Sequence, residues 1–83
     1  IPIRLNVKKN KKREALVLIR KGKVESDYFF LSEKGDLKEA AKNLYSTLRM
    51  IKKKRYKSIA VCKIPNKGLG KTINDRLLRA SRY

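Results

Sequence analysis

The chain has no histidine and no tryptophan, a single cysteine (Cys62), two prolines and only seven acidic residues among 83. Without histidine, the chain itself cannot form Cys/His zinc sites or Ser–His and Cys–His nucleophile pairs. One cysteine leaves no internal disulfide, and that pattern fits a reducing, cytoplasmic setting. No apolar run approaches the roughly 20 residues that cross a bilayer, so no membrane partner is expected. The start also lacks a charged region followed by an apolar stretch and a cleavage site. It reads Ile1-Pro2-Ile3 without an initiating methionine, from which a preceding segment is expected.

What is present is positive charge. Twenty-four lysines and arginines face the seven acids, for a formal net charge of +17. Such a surface attracts polyanions by counterion release, which makes tRNA, rRNA or DNA candidate partners. The plainer reading is that lysine fills solvent-facing positions, and charge alone does not choose between the two. Hydrophobic residues make up 41% of the chain, enough for the core of one small domain, residues 1–83, and too much for a disordered tail.

Residues 1–7 alternate Ile3, Leu5 and Val7 with Arg4 and Asn6, the pattern of a half-buried or edge strand. Lys8, Lys9, Asn10, Lys11, Lys12 and Arg13 then form a basic run that reads as a solvated loop, with phosphate contact as the functional alternative. Residues 15–19, Ala-Leu-Val-Leu-Ile, are a continuous apolar run expected as a central strand covered on both faces. After a turn at Lys21-Gly22-Lys23, Tyr28, Phe29, Phe30 and Leu31 give a third strand. Its aromatics are read as core residues and not as a base-stacking platform.

Asp36 with Glu39 three residues later has the spacing of a capping box. The helix it opens carries Leu37, Ala40, Ala41, Leu44, Leu48 and Ile51 on one stripe. Lys52, Lys53, Lys54 and Arg55 close it, where cations balance the negative end of the helix dipole. Residues 58–64, Ser-Ile-Ala-Val-Cys-Lys-Ile, read as a buried parallel strand, with Cys62 an inert thiol inside it. The fold class expected is α/β, with a mixed or mostly parallel sheet of about four strands and two amphipathic helices.

The last strand leads through Pro65-Asn66-Lys67-Gly68-Leu69-Gly70 into a helix with Leu69, Ile73, Leu77 and Ala80 on one face and Leu78 widening it. Strand, glycine turn and helix are the layout of a phosphate cradle, and Gly70-Lys71-Thr72 copies the end of a P-loop. The full motif needs a glycine five residues before Gly70, where Pro65 stands without an amide N–H. A dinucleotide fingerprint needs a third glycine where Ile73 stands. Both nucleotide readings fail on these two positions. The turn is read as structural, followed by Asn74-Asp75-Arg76 on the polar side.

The run from Ile64 through Pro65, Asn66, Lys67, Gly68, Leu69, Gly70, Lys71, Thr72, Ile73, Asn74, Asp75 and Arg76 to Ala80 resembles the closing segment of the C-terminal domain of long-form threonylcarbamoyl-AMP synthases. Gly35-Asp36-Leu37 with Ala40-Ala41-Lys42-Asn43-Leu44-Tyr45-Ser46-Thr47-Leu48-Arg49 is similar to that domain's helix. Ile1-Pro2-Ile3-Arg4-Leu5 resembles its first strand after the interdomain linker. The loop 8–13 departs from the pattern, since larger members carry a helix there.

The resemblance implies a small Rossmann-like accessory domain of a synthase. In that family a separate, YrdC-like domain makes threonylcarbamoyl-adenylate from ATP, L-threonine and bicarbonate, for the modification of tRNA. It places ATP, magnesium and all catalytic residues in that other domain, and assigns no catalytic, cofactor or metal residue to this chain. The expected partners are the catalytic domain and its linker, with tRNA contact as a secondary property. Lys67, Gly68, Gly70, Lys71, Asn74 and Arg76 are the candidates for interdomain or anion contact. The alternative function is a basic RNA-binding module contacting tRNA or rRNA.

Overall fold

The computed structural model of the chain describes residues 2–81; Ile1 of the first expected strand, and Arg82 and Tyr83, lie outside them. The elements run β1 (Ile3–Val7), β2 (Glu14–Arg20), β3 (Tyr28–Ser32), α1 (Leu37–Lys53), β4 (Ser58–Cys62) and α2 (Leu69–Ala80). The sheet has four strands in the order β1-β4-β2-β3, and every pairing is parallel. The fold is therefore α/β, as expected, and it is consistent with a small Rossmann-like domain. β2 lies inside the sheet and β1 at its edge, as their burial patterns require.

One set of alternating residues meets both helices. Ala15, Val17, Leu31, Ile59 and Val61 join Ala40, Leu44, Leu48 and Ile51 of α1 and Ile73 and Leu77 of α2 in the core, with Ile3, Leu5 and Phe29 packed against it. Since successive strand residues point to opposite faces, this shared parity puts both helices on one face. The Asn43 amide of α1 donates to the Leu31 carbonyl of β3 at 2.9 Å, fixing helix to edge strand.

The other face carries Leu16, Leu18, Tyr28, Phe30, Ala60 and Cys62, and among the described residues no helix packs there. The β1–β2 and β2–β3 connections hold only residues 8–13 and 21–27, whereas parallel crossovers ordinarily take about a dozen residues or more. A six-residue link can reach about 20 Å, and β1 is only five residues long, so the return is possible. Asn6, at φ 57°, breaks the strand register between Arg4 and Val7 and starts that return.

Several expectations are corrected. Tyr28 and Phe30 stack edge-to-face on the face without helices, 6.5 Å apart and half-buried; of the three aromatics only Phe29 turns to the core, against Tyr56 at 5.9 Å. In α2 the inward stripe is Gly70, Ile73 and Leu77, while Leu69 and Leu78 are each 45% exposed. Among the described residues both helices lie on one side of the sheet, and no further layer covers those leucines.

The α1 cap is also half of what the spacing predicts. Asp36 accepts from the Lys38 N–H at 3.0 Å, but its own N–H donates to Ser32 Oγ at 3.0 Å and not to Glu39. Arg13 and Arg55 have φ of 62° and 63°, a left-handed backbone that costs a residue with a Cβ roughly 1–2 kcal/mol.

Candidate functional site

The closing turn lies at the carboxyl end of the strands, where open parallel sheets bind ligands. Gly68 caps α2 at φ 53° and ψ −126°, a backbone that residues with a Cβ avoid. Gly70 sits under the turn so closely that a Cβ there would lie 1.9 Å from the Pro65 carbonyl oxygen. The two glycines thus serve different needs, one of dihedral angle and one of space.

Two amides at the start of α2 are engaged by the turn's own carbonyls. The Gly70 N–H donates to the Lys67 carbonyl at 2.9 Å, and the Lys71 N–H to the Gly68 carbonyl at 3.1 Å. Pro65 contributes no N–H at all. With Pro65 and Ile73 where the two nucleotide-binding motifs need glycine, the turn matches neither motif.

Asn74 acts as a clasp. Its amide donates to the Ile64 carbonyl at 3.1 Å and to Asn66 Oδ1 at 3.5 Å, tying α2 to the segment that follows β4. Arg76 points elsewhere: its guanidinium lies 5.6 Å from the centre of the Tyr45 ring on α1, a cation–π contact between the helices. Lys67 and Lys71 are exposed. Of the six candidates, the structure brings Lys67, Gly68, Gly70 and Asn74 together in one turn, extends Lys71 outward, and places Arg76 against the other helix.

Beside the turn an open cleft of about 610 Å³ lies between β1 and α2, lined by Leu5, Asn6, Lys63, Ile64, Asn66, Asn74, Asp75 and Leu78. Sequence reasoning found only Asn74 among these as a site residue. Asn6 carried a signal, a turn-forming residue inside an alternating strand; Leu5, Lys63 and Leu78 carried none. Cys62 ends β4 and is half-buried, not deeply buried as expected. Burial still pushes its thiol up from the ordinary value, away from the reactive thiolate.

At the opposite, amino end of the sheet stands a polar cluster that the sequence did not reveal. Glu14 is 1% exposed and holds three strands together. Arg4 of β1 donates to it through Nε at 2.9 Å and Nη2 at 2.6 Å, and Ser58 Oγ of β4 donates at 2.5 Å. The Lys11 N–H adds a bond at 2.9 Å. The paired guanidinium, aided by the hydroxyl and the amide, holds the carboxyl down to about 2.

Together the sheet and its closing turn define a class: a two-layer parallel α/β module whose glycine turn is a structural clasp. Over residues 3–82 the chain matches the family described as threonylcarbamoyl-AMP synthase, C-terminal domain, and it belongs to that family. The membership ties it to threonylcarbamoyl-AMP synthase and to tRNA modification. No curated protein and no solved structure matches the chain.

Proposed function

We propose that this chain is the accessory domain of a threonylcarbamoyl-AMP synthase, docking on a YrdC-like catalytic domain and its linker without performing chemistry itself. The observation that carries the reading is the family match over nearly the whole chain, residues 3–82. The turn supports it: Gly68, Gly70 and Asn74 maintain the fold, and the ATP, magnesium, L-threonine and bicarbonate of the reaction belong to the catalytic domain. The exposed Lys67 and Lys71, with the adjoining cleft at Leu5, Asn6 and Leu78, offer a docking side with both charge and apolar surface.

Pyrophosphate release from ATP in the presence of L-threonine and bicarbonate tests the proposal. The chain alone is expected to release none, and the catalytic domain joined to it through the linker is expected to run several-fold faster than the catalytic domain alone. Release by the isolated chain, or no difference between the joined and the single catalytic domain, would refute it.

A second reading has its own observation, the net charge of +17. As an RNA-binding module the domain would bring the synthase to tRNA, and such binding must weaken steeply with salt.

A further inference from the structure

The turn at the carboxyl end is where a sequence reader looks for anion contact, yet the fold also gathers cations at the other end. Residues 8–13 return from the end of β1 to the start of β2, and α1 runs back from the end of β3 to the start of β4. Their last residues meet: the Lys57 N–H donates to the Arg13 carbonyl at 2.9 Å, and Glu14 and Ser58 stand opposite each other in the sheet. Two basic runs about 40 residues apart in the chain thereby become neighbours. Lys11, Lys12 and Arg13 come from one; Lys53, Lys54, Arg55 and Lys57 come from the other.

All seven side chains are exposed, and among the described residues none of them forms an ion pair. The acids near this end are otherwise engaged. Glu14 is held by Arg4 and Ser58, Asp27 accepts the Tyr56 hydroxyl at 2.9 Å, and Glu25 lies 3.4 Å from Lys23. Balancing the dipole of α1 accounts for one or two cations in its last turn, not for the loop cations beside it.

The backbone supplies an independent observation. Arg13 and Arg55 both adopt positive φ, and Arg55 follows the Lys54 cap of α1, the position that glycine most often fills. Both positions favour glycine, and at both an arginine stands instead, on the same surface. A strained residue that stability does not explain is a pointer to function.

We infer that the amino end of the sheet, formed by Lys11, Lys12, Arg13, Lys53, Lys54, Arg55 and Lys57, is a surface that binds the phosphate backbone of folded RNA. The inference rests on the RNA-contact reading above and gives it a location, opposite to the glycine turn. Arginine and lysine along one edge neutralise successive phosphates and release their counterions, while no base-reading geometry is needed.

Fluorescence anisotropy of the full chain with a labelled tRNA transcript over a salt series tests this. Binding at low salt is expected, with a log–log slope of roughly −4 to −6 for up to seven phosphate contacts. Replacing Lys11, Lys12, Lys53 and Lys54 together with Gln should flatten the slope by roughly 3 and weaken binding by more than about tenfold. Lys67→Gln with Lys71→Gln, at the other end, should leave affinity within about twofold.

Arg13→Gly with Arg55→Gly should weaken binding about three- to tenfold, while the thermal midpoint stays level or rises as the strain is relieved. A fall in midpoint would mean the arginines serve the fold and would overturn their assignment. Equal loss in the Lys67/Lys71 variant would overturn the location while leaving RNA contact intact. No binding even at low salt would sink the RNA reading itself, and equal binding of poly-L-glutamate would replace RNA with any polyanion.

Discussion

Gly70 shows how a residue can look functional and be structural. Its place before Lys71 and Thr72 copies a nucleotide-binding motif, but the contact that matters is the Pro65 carbonyl, 1.9 Å from where a Cβ would be built. Gly70→Ala must push the turn off β4, at a cost of roughly 2–4 kcal/mol. Gly68→Ala meets open space and strains only the backbone at φ 53°, costing roughly 1–2 kcal/mol. Urea unfolding of the two variants distinguishes them; equal losses would mean the close approach to Pro65 is not what requires Gly70.

At the scale of elements, α1 is a helix that the sequence places well and caps in part. Its stripe follows the expected spacing, with Thr47 added to the buried set. The cap depends on Asp36 alone, because Ser32 at the end of β3 takes the backbone N–H that Glu39 would have bonded. Asp36→Ala should therefore cost about 1 kcal/mol, and Glu39→Ala no more than about 0.5 kcal/mol, both read by chemical denaturation. A loss at Glu39 as large as that at Asp36 would show that the reciprocal bond forms in solution.

For the whole molecule, the Glu14 cluster links β1, β2 and β4 and makes stability depend on acid. A carboxyl lowered in the fold from the ordinary 4.5 to about 2 stabilises fully above the unfolded value. That contribution is lost as pH falls from about 4.5 toward 2. The lowered carboxyl is worth about 2–3 kcal/mol, since each tenfold gain in acidity corresponds to about 1.4 kcal/mol and the half-exposed Arg4 loses part of its effect to solvent. Glu14→Gln should lower stability by about that amount at neutral pH and flatten the acid side of the profile. Parallel profiles for the two proteins between pH 4.5 and 2 would contradict this account.

Local pattern determined the element types, since alternation at Ile3, Leu5 and Val7 and the stripe from Leu37 to Ile51 can be satisfied only by a strand and a helix with one buried face. The run from Ile64 to Ala80 carried the family, and Pro65 and Ile73 sufficed to set aside both nucleotide motifs. Strand order was not legible, because the six-residue basic loop between β1 and β2 gives no sign that β4 will insert between them. The same insertion brings Arg4, Glu14 and Ser58 into one cluster and sets Arg13 beside Lys57. Those pairs are distant in sequence and carry no shared periodicity, so only the closing of the sheet could decide where the chain's charge would gather.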